Sequence, residues 1–228
     1  MPLLQASFPQ STVTVLDLPG TGCGYQALSP YTIQAITAEV RARAIEQNLL
    51  QRPVTFLAVS LGAMVAWEWQ QRYPDDSCGA VLINTSFAGL NPFYQRLRWQ
   101  SYRNVIMLAM QKDLYRRELG IVQLVSNRED NYENVAKVWQ KIQTERPISL
   151  KNCLRQIIAA AGYRPGDAKP SQPILLLNGQ GDRLVAPSCS EAISKKWAFE
   201  QRSHPWAGHD ITLDDGAWVI TQLQQWLA

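Results

Sequence analysis

Residues 53–73 read PVTFLAVSLGAMVAWEWQQRY. The run Pro53 to Val59 is dominated by β-branched, aromatic and aliphatic side chains, the composition of a buried strand. From Leu61 to Tyr73 the pattern is that of a helix, stopped by Pro74-Asp75-Asp76. Ser60 stands at the junction. A sharp turn between a buried strand and a helix forces its central residue into strained backbone geometry and requires small neighbours. Ala58 and Gly62 supply them, giving A-x-S-x-G. A serine hydroxyl is a poor nucleophile until the fold exposes it and sets a base beside it. Taken alone, the pattern therefore has two readings, an exposed nucleophile or a plain strand-to-helix turn capped by Ser60.

Outward from this turn the elements alternate. Thr12 to Leu18 (TVTVLDL) is a β-branched run that predicts a strand, ended by Pro19-Gly20-Thr21-Gly22. Tyr31 to Leu50 carries Ile33, Ile36, Val40, Ala44 and Ile45 at helical spacing. Ala80 to Ile83 (AVLI) predicts another buried strand. From about Phe87 to Tyr163 the strand patterns vanish, and amphipathic helices are expected over Leu97–Met110, Leu114–Val125, Tyr132–Thr144 and Leu150–Ala161. Alternation resumes with a strand at Pro173–Leu177 and a helix from about Ser188 to Lys196. An extended segment, Ala198–Ser203, and a last helix, Asp215–Leu227, complete the series. Continuous apolar strands alternating with helices imply the α/β class, a mostly parallel, doubly wound sheet covered on both faces. The expected organisation is a single domain over residues 1–228 with an all-helical cap inserted at about residues 87–165.

Composition narrows the function classes. The chain has 228 residues, enough for one sizeable core, and 46% hydrophobic residues. A net charge of +3 is too small to argue for nucleic acid, and no basic stripe alternates with aromatics. Cys23, Cys78, Cys153 and Cys189 are scattered, which points away from metal and disulfide frameworks and towards a reduced, cytoplasmic chain. The start, Met-Pro-Leu-Leu-Gln, lacks the basic and apolar regions of a signal peptide. No apolar stretch approaches the roughly 18 residues of a membrane span. No metal, organic cofactor or membrane is expected.

In such sheets ligands bind at the carboxyl ends of the strands. The residues that follow the expected strands are Pro19-Gly20-Thr21-Gly22, then Ser60, Asn84-Thr85-Ser86, Asn178-Gly179-Gln180-Gly181-Asp182, and His204 to His209. A serine, an aspartate and a histidine thus fall at strand ends in the order Ser…Asp…His, the order expected for a nucleophile, its orienting acid and its base on this kind of sheet. The chain has two histidines. His204 precedes Pro205 at the end of an extended segment and suits a structural role; His209 follows Gly208, which lets the backbone turn towards a site. Asp182 competes with Asp17, Asp210, Asp214 and Asp215. Asp17 fits the first turn, while Asp214 and Asp215 suit the start of the last helix. Asp182 follows an apolar strand directly through a Gly-rich approach. Cys23 lies near the expected site end, where a small buried thiol is expected.

At these residues the chain resembles the α/β-hydrolase family. Asp17-Leu18-Pro19-Gly20-Thr21-Gly22 is similar to that family's D-x-x-G-x-G turn, and Val59-Ser60-Leu61-Gly62 to its nucleophile elbow. Gly181 to Pro187 (GDRLVAP) is similar to its acid-bearing loop, and Gly208-His209 before a terminal helix to its histidine turn. The resemblance implies Ser60 as nucleophile, His209 as general base, Asp182 as the acid that orients the imidazole, and the Leu61 backbone N–H as an oxyanion donor. It implies hydrolysis of an ester, thioester or amide through an acyl-serine.

The chain departs from the family's pattern in one respect. A second oxyanion donor normally comes from a loop, often H-G-x-x, after an earlier strand, and this sequence has neither. That strand normally lies between the counterpart of Thr12–Leu18 and the strand ending at Ser60; Pro2-Leu3-Leu4 resembles the end of the preceding helix. A gap inside the core would strand backbone groups at roughly 1–3 kcal/mol each. Two alternatives follow: Thr12–Leu18 pairs directly with the Ser60 strand, or the chain is an N-terminally shortened form of a longer protein. The second is the expectation, with a rate lowered on the order of 10²–10³ by one missing donor.

The expected substrate is a small-molecule acyl ester or thioester. Phe93, Tyr94, Trp99, Tyr102 and Met107 in the helical insert are candidates for its acyl pocket, or ordinary core. Arg96, Arg98, Arg103, Lys112, Arg116 and Arg117 read as a solvated helix face or as a docking surface for an acidic carrier protein. The alternative function class is a hydrolase-like ligand-binding or interaction module without catalysis.

Overall fold

The computed structural model describes residues 2–227. It contains a four-stranded, wholly parallel sheet of β1 (Val54–Val59), β2 (Ser77–Ile83), β3 (Ile174–Gly179) and β4 (Glu200–His204), in the spatial order β1-β2-β3-β4. Parallel neighbours require a crossover, and helices supply each one. α3 (Leu61–Arg72) joins β1 to β2, and α9 (Ser188–Trp197) joins β3 to β4.

β1, β2 and β3 read as apolar runs because both of their faces are covered, whereas β4, an edge strand, is polar. Ala80, Leu82, Ile174 and Leu176 point into one cluster with α2 (Ile33–Glu46), α3 and α9. Val81, Ile83, Leu175 and Leu177 point into the other, against α10 (Ile211–Asp214), α11 (Gly216–Leu227) and Leu4 of α1 (Pro2–Ser7). Trp67 of α3 is the hub of the first cluster. It is fully buried, with the Trp197, Phe87 and Phe199 rings 4.6, 4.8 and 5.8 Å away. Truncation there leaves a cavity that three rigid rings cannot fill, so Trp67→Ala is expected to cost about 3–5 kcal/mol. Urea unfolding checks this; a loss below about 1 kcal/mol would show that the rings collapse into the hole.

Thr12–Leu18 is not a strand. The segment enters no ladder, and β1 is an edge of the sheet. Of its backbone N–H groups, Val13 donates to Gln5 Oε1 (3.1 Å). Leu16 and Leu18 pack on the first cluster while Val15 is exposed. β-branched composition favours an extended backbone, but a strand also needs a partner in register. The direct pairing with the Ser60 strand is therefore not formed.

Residues 84–173, between β2 and β3, contain helices and no strand. α6 (Leu114–Val125) coincides with its expected bounds; α7 (Tyr132–Glu145) and α8 (Leu150–Gly162) extend one residue beyond theirs. The expected helix Leu97–Met110 is helical only from a 3-10 turn at Trp99–Ser101 into α5 (Tyr102–Met110), and a separate short helix, α4 (Phe93–Arg96), precedes it. Arg98 causes the break between them, because its N–H leaves the helical pattern to donate to Leu184 O (2.7 Å). α8 is amphipathic but turned inside out relative to a core helix. Asn152 is buried and bonds Ser29 N and Ala27 O, and Gln156 bonds Pro19 O. Leu150, Leu154, Ile157 and Ile158 remain 50–60% exposed. Phe93, Tyr94, Trp99 and Met107 are likewise exposed rather than core. No helix among the described residues is long and apolar enough to cross a membrane.

Candidate active site

Ser60 occupies the one-residue gap between β1 and α3 with φ 53° and ψ −115°. For a non-glycine residue this is a strained conformation, worth on the order of 1–3 kcal/mol, and it must be held from outside. Two bonds hold it: Ser60 N donates to Ile83 O (2.8 Å), and Thr85 Oγ1 donates to Ser60 O (3.0 Å). Ala58 and Gly62 face each other across the turn, where a Cβ on Gly62 would lie 4.0 Å from Ala58 Cβ. Leu61 opens α3, and its N–H makes no hydrogen bond among the described residues, as expected for a first-turn donor.

Asp182 and His209 come together. His209 Nδ1 lies 2.8 Å from Asp182 Oδ2, both residues being buried. The other carboxylate oxygen, Oδ1, accepts from Leu184 N (2.7 Å) and Val185 N (2.9 Å), which fixes the plane of the group. With a carboxylate as its acceptor, Nδ1 carries the proton and Nε2 presents a lone pair. Burial by itself pushes the imidazole pKa down. The charge and hydrogen bond of Asp182, with the charge of Asp210, outweigh burial and leave it raised above its ordinary value.

The segment from Gln95 to Ser101 clasps the acid loop. Besides the Arg98–Leu184 backbone bond, Arg98 Nη1 donates to Asp182 O (2.6 Å), Ser101 Oγ donates to Arg183 O (2.6 Å), and Ala186 N donates to Gln95 O (2.9 Å). The histidine turn is gripped as closely. Asp214 Oδ2 accepts from Gly208 N (2.6 Å), and Val125 O accepts from Asp210 N (2.8 Å). Gly179 must be glycine, since a Cβ there would run into the carbonyl oxygens of Ala207 and Gly208.

Ser60, Asp182 and His209 all sit at the carboxyl ends of parallel strands or in the loops that follow them. No hydrogen bond joins Ser60 Oγ to His209 Nε2 among the described residues. His204 is elsewhere: it is buried, with Nδ1 accepting from Ala207 N (3.0 Å) and Nε2 3.3 Å from Asp215 Oδ2. Asp17 holds the first turn by accepting from Cys23 N (2.8 Å). Asp215 caps the last helix by accepting from Trp218 N (2.9 Å). Asp214 does not serve that helix start. It is buried and accepts from Ser126 Oγ (2.5 Å) as well as Gly208 N, so it braces the histidine turn against the loop after α6.

Cys23 is exposed rather than a buried thiol. The 3-10 turn at Gly22–Gly24 puts it on the surface, where Arg146 Nη1 contacts its sulfur at 3.2 Å. Cys189 is the buried thiol, pushed up to about 12 by burial. Of the basic residues in the insert, Arg96 donates to Ala161 O (2.8 Å) and Ala160 O (2.6 Å) and is committed to internal bonds, as Arg98 is. Among the described residues no three His, Cys, Asp or Glu side chains gather as a metal site needs. The sequence marks Asp214 as a helix-start carboxylate and Arg98 as part of a basic face, not as supports of the site; Asn84 is visible only as one polar residue after a strand.

Residues 1–222 match the sequence pattern described as the Alpha/beta hydrolase family. No curated protein matches the chain by sequence. The fold is similar to that of a hydrolase from Pseudomonas aeruginosa PA01 (TM-score 0.70, 19% identity, 93% of this chain and 78% of that one). It is similar also to an esterase from Thermogutta terrifontis (TM-score 0.67, 19% identity, 92% and 77%) and to the esterase RhEst1 from Rhodococcus sp. ECU1013 (TM-score 0.68, 16% identity, 92% and 78%). A parallel sheet with helices on both faces, an elbow serine at the end of β1, and a family match over nearly the whole length lead to one assignment: the chain belongs to the alpha/beta hydrolase family.

Proposed function

We propose that this protein is a serine hydrolase that cleaves a carboxylic ester or thioester through an acyl-serine intermediate. Ser60 Oγ attacks the carbonyl carbon while His209 Nε2 takes its proton. The oxyanion is met by the Leu61 N–H. The imidazolium, stabilised by Asp182, returns the proton to the leaving alcohol or thiol. Water, deprotonated by His209, then attacks the acyl group and frees Ser60. The observation that carries this reading is the buried Asp182–His209 pair at the same end of the sheet as a serine held at φ 53°. An elbow built only as a helix cap would have no physical need of the strain or of the pair.

Hydrolysis of p-nitrophenyl butyrate over about pH 5 to 9 tests it. The base works only when neutral, so kcat/KM must rise with pH through the His209 pKa. Because that pKa is raised, the midpoint of the rise is expected above the ordinary imidazole value of 6.5. A midpoint at or below that value, or turnover independent of pH, would contradict the assignment of His209 as base.

The missing Ser60–His209 hydrogen bond and the single identified oxyanion donor favour a second reading, a module that binds an acyl ligand without turning it over. Heat of binding for an ester that persists unhydrolysed in the calorimeter distinguishes the two. An acidic carrier delivering the acyl group would meet Arg103, Lys112 and Arg116, which are exposed. These residues, rather than Arg96 or Arg98, are the ones whose charge reversal tests that partner. A small-molecule substrate requires none of them.

A further inference from the structure

Asn84, the residue immediately after β2, is buried and has φ 48°, in the left-handed region that asparagine tolerates better than most residues. Its side-chain amide makes three hydrogen bonds, all to backbone. Nδ2 donates to His209 O (2.7 Å) and Gly208 O (3.1 Å), and Oδ1 accepts from Gly179 N (2.9 Å). Its chain neighbours hold the other partner of the reaction. Ile83 O accepts from Ser60 N, and Thr85 Oγ1 donates to Ser60 O. One tripeptide, Ile83-Asn84-Thr85, thus grips the Ser60 backbone with its outer residues and the His209 backbone with its middle one.

From this geometry we infer that Asn84 is a positioning residue, which sets the distance and attitude of the His209 imidazole relative to Ser60 Oγ. The inference rests on the proposed serine-hydrolase reading. Asp182 holds only the Nδ1 side of the ring. Val125 of the helical insert, and Asp214 of α10 through its bond to Ser126 of that insert, hold the turn from another side. Asn84 alone, among the described hydrogen bonds, ties the turn to the strand end that carries the serine's anchors. Glycine would fit the left-handed backbone at this position equally well but has no amide to make these bonds.

Two substitutions separate positioning from folding. Asn84→Gly suits the backbone and deletes the amide. Asn84→Asp keeps the size and the acceptor for Gly179 N, but turns a carboxylate oxygen towards the carbonyl oxygens of Gly208 and His209. Both variants are expected to lower kcat for p-nitrophenyl butyrate by about ten- to a hundredfold, since an ångström of misplacement costs that much, with KM changed less than about threefold. In Asn84→Gly the midpoint of the rise with pH is expected to stay where it is in the parent, because the Asp182–His209 pair is untouched.

A readout independent of turnover is available because the chain has two histidines. In imidazole NMR spectra the His209 signals are expected to shift in both variants while those of His204 stay fixed. Unchanged kcat and unchanged His209 signals would overturn the inference. So would equal movement of both histidines, or a loss carried by KM, since each reports a general structural defect. If instead Ser60→Ala retains the parent's turnover, the serine-hydrolase reading itself fails, whatever Asn84 does.

Discussion

Ser60→Ala is expected to lower the hydrolysis of p-nitrophenyl butyrate by about three to four orders of magnitude, to the background of the buffer. Removing the nucleophile of a complete triad costs on the order of 10⁶ in kcat. On the proposed reading Leu61 is the one oxyanion donor identified among the described residues, and a missing donor is worth on the order of 10²–10³. The parent therefore starts closer to the background, and the difference between the two figures is the drop left to observe. The fold should not suffer. Alanine carries the same Cβ penalty at φ 53° as serine, and Ser60 Oγ takes part in none of the hydrogen bonds that hold the turn. Initial rates together with a melting curve decide the matter. Retained turnover with an unchanged melting temperature would remove Ser60 from the chemistry.

The second large effect is expected at Asp182. In Asp182→Asn the oxygen that accepts from Leu184 N and Val185 N can be kept, which leaves an NH₂ facing His209 Nδ1. Two donors cannot face each other, so the imidazole takes the other tautomer and Nε2 carries the proton. It can then no longer accept one from Ser60. Such a change costs about 10⁴ in kcat in a full triad, and the same background limits the visible drop here to about 10³–10⁴. A second signature comes with it. Asp182 charge and hydrogen bonding oppose the burial that pushes the His209 pKa down, so their loss moves that pKa down. The rise of residual activity with pH should therefore shift to lower pH than in the parent. A rate drop with an unmoved rise would mean that Asp182 holds the loop but does not face the base.

How far the sequence discloses this architecture depends on the range of the interactions. β1, β2 and β3 are legible because a strand covered on both faces must be apolar at successive positions, as in Val81-Leu82-Ile83 and Leu175-Leu176-Leu177. Thr12–Leu18 has the same local chemistry and is no strand, because pairing is a property of two segments and composition describes one. Helical periodicity locates α8 but not its orientation. Its side towards the protein is fixed by backbone oxygens and N–H groups near residues 19–29, which Asn152 and Gln156 reach, and these are invisible in a helical pattern. The strand-end residues Ser60, Asp182 and His209 stand out by type and order. Their supports do not, since Asn84 meets His209 across 125 positions and Asp214 meets Ser126 across 88.

The most direct test of the central claim is covalent labelling by a serine-reactive fluorophosphonate, read by peptide mass spectrometry. The account predicts one adduct per chain, on the peptide that contains Ser60, absent in Ser60→Ala and strongly slowed in His209→Ala. A parent chain that takes no label, or a Ser60→Ala variant labelled as fast as the parent, would contradict it.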